Sequence, residues 1–293
     1  MPVVAVFGPT ASGKSAAALE LAEAIGGEIV SCDAMQLYRG LPILTNQPSA
    51  EEQARVAHHL VAVWEPEHEG SVAEYAELAH AAIDDVLARG HTPIVVGGGG
   101  LYLRAALAPL RLPPAPADGQ RDRLEAEYDR LGPDAAHALL AERDPRAAAA
   151  VHANDRRRVV RALELAEMGE TLAPAQSELW EADPRHPVTI LGLDVPRELL
   201  RERIAARTQA MFAAGVEDEV RAAIEAHTFS STADRIHGLS DVRALVQGEI
   251  DREQAQRQLI DRTRQYAKRQ AVWMRRIPGL RAVPGGEPLL AHL

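Results

Sequence analysis

The segment Gly8–Ser15, with the sequence GPTASGKS, combines residue types that bind phosphate groups. Gly8, Gly13, Lys14 and Ser15 fit the pattern G-x-x-x-x-G-K-[ST], and the segment separates an apolar run from a helical one. Glycines let backbone N–H groups converge on anionic oxygens, the start of a helix adds partial positive charge, and the lysine adds a full charge. A serine hydroxyl at this place can ligate a magnesium ion between the phosphates. The sequence therefore predicts a site for a diphosphate-like anion.

The usual companions of a nucleotide-hydrolase loop are missing from the sequence. A hydrolase needs an aspartate at the end of a hydrophobic strand to hold magnesium, whereas the run Ile94–Val96 leads into four glycines. The Asn-Lys-x-Asp motif of guanine-nucleotide binders does not occur either. A small-molecule or nucleotide kinase that binds ATP stays open as an alternative, with the arginines of 156–161 as a lid. The loop indicates a diphosphate group more firmly than it indicates ATP.

Two further side chains fit the chemistry of a bound diphosphate. Asp33 follows a short apolar run, and ligands of open α/β sheets bind beyond the carboxyl ends of strands. Because a bound anion repels a carboxylate, Asp33 would serve a magnesium ion or a proton, and the alternative is a helix N-cap. Arg207 lies in a helical segment with Arg201 and Arg203. These arginines could reach a leaving phosphate, or they could be solvated surface charges.

Positive charge is concentrated in two segments of an otherwise acidic chain. The formal net charge is −10, yet residues 257–281 hold eight basic residues against the single acid Asp261. On a helix spanning 257–277, Arg264 and Lys268 fall on one line and the apolar residues fall on the opposite side. A solvated face of an ordinary amphipathic helix is the alternative, but two basic rows on an acidic protein favour a polyanion, above all RNA. Arginines at 156, 157, 158 and 161 form the second cluster.

Alternating strand and helix patterns predict a doubly wound parallel sheet. Ser71 and Glu74 form a capping-box sequence that starts a helix ending near Gly90. Residues 112–187 carry only helical signals, so we predict a helical RNA-binding insertion there, within a core formed by 1–111 and 188–293. From Arg197 onward we expect helices alone. The expected strands cover residues 3–7, 28–32, 60–63, 93–96 and 188–195.

Composition limits the classes of protein that this chain can belong to. Cys32 is the single cysteine, so the chain forms no internal disulfide and holds no zinc site of the usual kind. No window approaches the roughly 18 apolar residues that a membrane helix needs. We therefore expect a cytoplasmic monomer without a membrane partner.

Six segments together resemble the tRNA dimethylallyltransferase family, in the family's order and over nearly the whole chain. The resemblance implies a P-loop fold and transfer of the dimethylallyl group from dimethylallyl diphosphate to a tRNA. The acceptor would be N6 of the adenosine 3′-adjacent to the anticodon, in tRNAs that read codons starting with U. In this family the loop holds the diphosphate of the prenyl donor and not ATP. The segments are GPTASGKS (8–15), SCDAMQLYRGLPILTNQP (31–48), GGGGLY (97–102), HANDRRRVVRALEL (152–165), RIAARTQAM (203–211) and TRQYAKRQAVWMR (263–275).

The resemblance also implies a role for each matching residue. Asp33 would be the general base on the adenine amine, and Thr10, Lys14 and Arg207 would bind and neutralise the leaving diphosphate. Ser15 would help to place Mg²⁺. The expected diphosphate-binding residues are Gly8, Pro9, Thr10, Ala11, Ser12, Gly13, Lys14 and Ser15. The expected RNA-binding residues are Asp33, Ala34, Met35, Gln36, Arg157, Arg158, Arg161, Arg264 and Lys268.

Three places depart from the pattern of the family. Gly99 stands where the family usually has Thr, and Gln47 stands where Lys is common. Leu239-Ser240-Asp241 stands where a Tyr, a basic residue and an acidic or amide residue usually follow the glycine. These departures bear on how substrate is gripped and on which tRNAs are preferred.

Two other classes of function were weighed against the tRNA prenyltransferase. One is a prenyltransferase that alkylates free AMP, and the helical insertion with its arginines favours a larger acceptor than that. The other is a non-catalytic RNA-binding protein with a relic loop. Lys14, Ser15 and Asp33 are all present, which disfavours a relic.

Overall fold

The computed structural model describes residues 2–110, 116–117, 119–172 and 183–293. The chain divides into two compact units. The first unit combines Met1–Pro109 with Asp183–Leu293, and the second unit is Leu110–Ala182. The second unit overlaps the predicted insertion, 112–187, and the assignment of that insertion to RNA binding stays a prediction.

The elements follow one another in an order typical of α/β proteins. The first part of the chain contains β1 (Val3–Phe7), α1 (Lys14–Ile25), β2 (Gly27–Ser31), α2 (Pro42–Thr45), α3 (Ala50–Arg55), β3 (His58–His59), α4 (Val72–Ala88), β4 (Thr92–Gly97) and α5 (Gly100–Leu107). The second unit contains α6 (Gln120–Leu131), α7 (Pro133–Arg143), α8 (Pro145–Ala150) and α9 (Arg156–Glu167). The chain continues with β5 (Val188–Asp194), α10 (Arg197–Ala213), α11 (Val216–Ala226), α12 (Leu239–Val246), α13 (Arg252–Met274) and β6 (Arg281–Pro284). Short 3₁₀ helices lie at Ala233–Arg235 and Leu289–His292.

The six strands form one sheet in the order β3-β2-β4-β1-β5-β6, and each neighbouring pair is parallel. Every residue of β1, β2 and β4 is buried, so both faces of the sheet are covered. Val4, Val6 and Ile94 pack in one core cluster with residues of α1. The alternate residues of these strands point to the opposite face. The predicted doubly wound parallel sheet is confirmed.

The helix after the phosphate loop begins and ends at glycines. Gly13, at a φ of 90°, precedes α1, and Gly26, at a φ of 64°, caps its end by donating its N–H to the carbonyl of Ala22. Both residues occupy the left-handed region, where glycine lacks the steric penalty of a Cβ. Glycine at both ends thus fixes the bounds of α1.

Two sequence-based expectations for the first unit were wrong. The expected strand at 60–63 does not form, because Leu60 and Ala62 have positive φ values of 61° and 51° and the pairing with β2 stops at His59. The expectation of helices alone after Arg197 missed β6, which extends the sheet by pairing with β5. Three of the four residues of β6 are exposed, so it lacks the continuous apolar run that identified the other strands.

The second unit has a small apolar core of its own. Residues of the four short helices α6 to α9 pack together in it. Asp144 caps α8 by accepting hydrogen bonds from the backbone N–H groups of Arg146 and Ala147. The largest fully buried side chains of this core are Leu124, Leu140 and Leu163.

Candidate active site at the carboxyl ends of the strands

The phosphate loop connects β1 to α1 and leaves the first turn of that helix open to a ligand. Gly13 offers no side-chain cap to α1, so the N–H groups of the first turn are unsatisfied by any cap. A Cβ on Gly8 would lie 2.7 Å from Ser12 Oγ, and Ala11 has a φ of 62°, so the loop is tightly folded. Such a helix start binds anions through its N–H groups and its dipole.

Lys14 and Arg207 bring two cations to the same cavity as this loop. Burial lowers the pKa of Lys14, and the charge of Asp33 partly offsets that effect. Burial also lowers the pKa of Arg207, again partly offset by Asp33. The two cations are therefore held in a partly desolvated site near the Asp33 carboxylate, and a bound diphosphate would stabilise their positive charge.

Two arginines of α10 contact the phosphate loop. Arg207 donates a hydrogen bond from Nη1 to Thr10 Oγ1 at 3.1 Å, and Arg203 donates one to the carbonyl of Ser12 at 3.3 Å. The structure thus brings Arg203 and Arg207 to the loop, although Arg203 is exposed on α10, as Arg201 is. The sequence left open whether these arginines are surface charges, and of the three only Arg207 lines the cavity.

Asp33 follows β2 and opens a turn that leads away from the sheet. Its Oδ1 accepts a hydrogen bond from the backbone N–H of Met35 at 3.0 Å, and its own N–H donates to Ser31 Oγ at 3.3 Å. Residues 34–37 form a turn and not a helix, so the alternative of a helix N-cap is excluded. The carboxylate lines the cavity together with Gln36.

Aliphatic side chains also line the cavity. Leu19, Ile29, Leu44, Val61 and Val96 contribute this surface. A cavity that combines cations, backbone N–H groups and aliphatic side chains fits an anion that carries a hydrocarbon group.

His237, another lining residue, was missed by the sequence analysis. Its Nε2 lies 2.8 Å from Thr263 Oγ1, and that hydroxyl donates its proton to the carbonyl of Leu259 at 2.7 Å. Nε2 must therefore carry the proton and donate it. Burial, with Arg269 and Arg207 nearby, lowers the pKa of His237 to about 4, so the ring is neutral at pH 7. The ring stacks on Tyr266, with 5.3 Å between centroids.

The glycine run 97–100 receives side chains from α13. A Cβ on Gly98 would lie 2.7 Å from the carbonyl oxygen of Gly8 and would also meet Gln270. A Cβ on Gly100 would lie 2.7 Å from Trp273 Cδ2. These glycines are needed because α13 approaches the strand ends so closely, a contact that no local sequence signal could have revealed.

The places that depart from the family pattern differ in their structural surroundings, and burial raises the pKa of the Asp241 carboxyl. Nothing approaches a Cβ on Gly99 more closely than 3.8 Å, so a larger residue fits there. Gln47 donates from Nε2 to the carbonyl of Tyr38 at 2.7 Å and braces the chain after Asp33. Leu239 is fully buried, while Asp241 is buried with Arg262 Nε at 3.1 Å.

The basic residues of α13 lie on its exposed side, opposite the buried Leu259 and Gln270. Arg264 is exposed and lies 3.3 Å from Asp261, and Lys268 is exposed without an ion pair to any residue that the structure describes. The predicted separation of an apolar side from a basic side is correct, although α13 begins five residues earlier than the sequence indicated, at Arg252.

Two arginines of α9 form ion pairs within the second unit. Arg156 pairs with Asp129 and Glu125 at 2.8 and 3.0 Å, and Arg161 pairs with a fully buried carboxylate, Glu164, at 2.7 Å. Arg157 and Arg158 are exposed on the first turn of the helix. Within the second unit, Arg156 and Arg161 therefore have structural partners, and the RNA-binding role predicted for Arg157, Arg158 and Arg161 stays a prediction.

No group of three or more His, Cys, Asp and Glu side chains that could hold a metal ion occurs among the described residues. In the same part of the chain, no helix is both long enough and apolar enough to cross a membrane.

The parallel sheet, the loop after β1 and the ligand cavity at the strand ends define a P-loop-type α/β protein. The sequence model of the IPP transferase family matches residues 36–277. The chain belongs to this family, which confirms the resemblance drawn from the sequence.

Several relatives are similar over nearly their whole length. A tRNA dimethylallyltransferase of Anaeromyxobacter sp. (strain K) is 46% identical over 285 residues, which are 96% of this chain and 92% of the relative. A tRNA dimethylallyltransferase of Streptomyces coelicolor is 44% identical over 286 residues, 97% of this chain and 90% of that one.

Solved structures agree with these relatives. The full-length tRNA isopentenylpyrophosphate transferase of Bacillus halodurans is 33% identical with a TM-score of 0.70, and the match covers 97% of this chain and 89% of that one. A eukaryotic dimethylallyltransferase, solved in crystallographic snapshots of its action on tRNA, is 27% identical with a TM-score of 0.78. That match covers 97% of this chain and 74% of the eukaryotic one.

Proposed function

We propose that this protein transfers the dimethylallyl group from dimethylallyl diphosphate to N6 of the adenosine 3′-adjacent to the anticodon of a tRNA. The observation that carries the proposal is the convergence of a carboxylate, Asp33, with two cations, Lys14 and Arg207, in one cavity that also has an aliphatic wall. The carboxylate would accept the proton from the amine, and the cations would bind the leaving diphosphate. Deprotonation of the acceptor and departure of the leaving group are thus both assisted by a residue of the cavity. The names and actions of the relatives support the same activity.

In the proposed reaction, the N6 lone pair attacks the allylic carbon bonded to the diphosphate oxygen. The new N–C bond forms as that C–O bond breaks, and the electron pair of the C–O bond leaves with the diphosphate. Asp33 takes one N6 proton, which restores a neutral amine on the product. A positioned base of this kind contributes about 10²–10⁴-fold to the rate.

Lys14, Arg207 and the Thr10 hydroxyl stabilise the charge that develops on the leaving diphosphate. Arg207 already lies 3.1 Å from Thr10 Oγ1, so little reorganisation is needed when the charge appears. Donors that are fixed before the reaction lower the barrier because they do not have to turn toward the charge.

The donor set of the cavity is compatible with Mg²⁺. The Ser15 hydroxyl lies at the start of α1, and diphosphate oxygens would complete the shell, as is usual for an ion that keeps water and substrate ligands. When bound, Mg²⁺ would neutralise part of the diphosphate charge. Ser15 would hold it on the protein side.

We further propose that the turn Asp33–Gln36 contacts the acceptor nucleotide, since Met35 and Gln36 line the cavity beside Asp33. Arg264 and Lys268 on α13, and the arginines of α9, would bind RNA phosphates. An acceptor tRNA also implies that the reaction takes place in the cytoplasm.

A single-turnover assay tests the function. Purified protein, Mg²⁺ and radiolabelled dimethylallyl diphosphate are mixed with unmodified tRNA, and in a parallel tube with free AMP. Label in tRNA supports the proposal, and label in AMP alone makes the acceptor a free nucleotide. A thermal shift with ATP but none with dimethylallyl diphosphate would favour the kinase alternative.

The residue test uses two aspartates at strand ends. Asp33→Asn should lower the single-turnover rate by about 10²–10⁴-fold, yet it should not weaken binding of dimethylallyl diphosphate, because it removes a carboxylate from the neighbourhood of an anion. Asp194→Asn is the matched control, since Asp194 is the exposed last residue of β5 and does not line the cavity. Equal rates for the two variants would overturn the assignment of Asp33.

A further inference from the structure

Gln270 is a buried amide that points at the phosphate loop and that the proposed mechanism does not use. Only 3% of the residue is exposed, although it lies on a helix whose other side is lined with basic residues. Its Oε1 accepts a hydrogen bond from the backbone N–H of Thr10 at 2.8 Å, across 260 positions of sequence. A buried amide at this place has to satisfy its donors and acceptors with the protein around it.

The contact changes what the loop can offer to an anion. Backbone N–H groups of a phosphate loop normally point at phosphate oxygens. Here one of them, that of Thr10, is already occupied by a side chain from α13. The loop therefore binds its anion with the N–H groups nearer the start of α1 and with Lys14.

Thr10 is consequently held at two places. Gln270 fixes its backbone through the N–H group, and Arg207 contacts its hydroxyl at 3.1 Å. The orientation of the Gln270 amide is set by its partner, because a backbone N–H can only donate and the amide oxygen must face it. The amide nitrogen then faces Gly98, where a side chain would leave it no room.

We propose that Gln270 is a positioning residue for the transfer: by taking the N–H of Thr10, it holds the Thr10 hydroxyl on Arg207 where the leaving diphosphate arrives. This inference rests on the proposed function and adds a specific residue to it. Gln270 lines the cavity, and in this scheme it acts through Thr10. The hydrogen bond between Gln270 and Thr10 also makes the position of the loop depend on the packing of α13.

Three variants test the inference. Gln270→Met keeps the length of the side chain but lacks the acceptor for Thr10, and Gln270→Glu keeps an acceptor but adds a negative charge beside the anion site. Gln258→Met is the control, because Gln258 lies on the same helix and is exposed. We expect Gln270→Met to lower kcat by about 10²-fold, as for a small misplacement of a reacting group, with the KM for tRNA unchanged.

Gln270→Glu keeps an acceptor for the N–H of Thr10, so its protonated form should retain the activity that Gln270→Met loses. Burial raises the pKa of such a carboxyl, and the protonated form resembles the amide. Its activity relative to that of the unaltered protein should therefore rise as the pH falls from 8 to 5.5, while the relative activity of Gln270→Met stays level. A pH-independent ratio for Gln270→Glu, or an unchanged kcat for Gln270→Met, would overturn the proposal.

A binding measurement separates this inference from the proposed function. Calorimetry with inorganic pyrophosphate needs no transfer activity. Gln270→Glu should weaken pyrophosphate binding by about tenfold or more at pH 8 and by less at pH 5.5, because the added charge repels the anion. If the unaltered protein binds pyrophosphate but labels no tRNA, the proposed function fails while the contribution of Gln270 is still measured. Equal pyrophosphate affinities for Gln270→Glu and the unaltered protein at pH 8 would refute the role of Gln270.

Discussion

Replacing Gly98 by alanine tests how closely α13 is packed against the strand ends. The new methyl group would lie 2.7 Å from the carbonyl oxygen of Gly8 and 3.0 Å from Cδ of Gln270. The first neighbour is backbone at the end of a central strand, so it cannot rotate away, and the second is a buried side chain. Overpacking of this kind costs about 1–3 kcal/mol. Losing the bond between Gln270 and Thr10 adds about 1 kcal/mol.

We therefore expect Gly98→Ala to lower the free energy of unfolding by about 2–4 kcal/mol in urea denaturation followed by circular dichroism. It should also weaken inorganic pyrophosphate binding, because the disturbed Gln270 no longer holds the loop. Gly99→Ala is the matched control one residue away. A Cβ there has no neighbour within 3.8 Å and the backbone, with φ of −93° and ψ of 107°, accepts any residue. The control should be unchanged or more stable by up to about 1 kcal/mol.

Two outcomes for Gly98→Ala and Gly99→Ala would contradict this reasoning. If Gly98→Ala and Gly99→Ala unfold at the same urea concentration, the close approach of Gln270 to the glycine run is incorrect. If Gly98→Ala loses stability but binds pyrophosphate normally, the packing stands and the link between Gln270 and the loop does not.

Three further predictions concern pH and salt. His237 has a pKa of about 4 in the fold and about 6.5 when unfolded, so the unfolded chain binds the proton first as the pH falls. The free energy of unfolding should therefore fall by up to about 3 kcal/mol between pH 6.5 and 4. A His237→Gln variant should lack this fall in the same titration. Arg89 and then His59 lower the pKa of Glu28 to about 2. The contribution of Glu28 to the free energy of unfolding is therefore complete above pH 4.5 and is lost as the pH falls toward 2. Glu28→Gln should make the free energy of unfolding, measured in urea, less dependent on pH at the acid end. Replacing Arg264 and Lys268 together by Gln should reduce the slope of log affinity for a tRNA anticodon stem-loop against log salt by about 1.4, and an unchanged slope would exclude both residues from phosphate contact.

Local sequence patterns predicted the parts of the site that are local in the chain. The spacing of Gly8, Gly13, Lys14 and Ser15 predicted the loop between β1 and α1, because the glycines and the helix start belong to one short segment. Asp33 could be placed beside it because parallel strands end at a common edge. The apolar side of α13 followed from its helical spacing, although the pattern gave no reason to separate Gln270 from the rest.

Contacts between distant segments could not be predicted. The sequence presents the run Gly97–Gly100 only as the end of a strand. The need for glycine there comes from the close approach of Gln270 and Trp273, some 170 residues later. His237 carries no signal in the sequence, since its neutral state depends on burial among α10 and α13 residues. The exposed strand β6 was missed for a related reason, because its stability comes from pairing with β5 and not from an apolar run of its own.

The bond between Gln270 and Thr10 also bears on the order in which the protein is made. At about 5–20 residues per second, a ribosome adds Gln270 roughly 13–50 s after Thr10. During that interval the loop of a nascent chain is without its brace, and the glycine run has no side chains packed on it. Helices α6 to α9 are all synthesised before that moment, so their core has its complete set of residues earlier. The phosphate site is thus among the last features of the molecule to take its final form during synthesis.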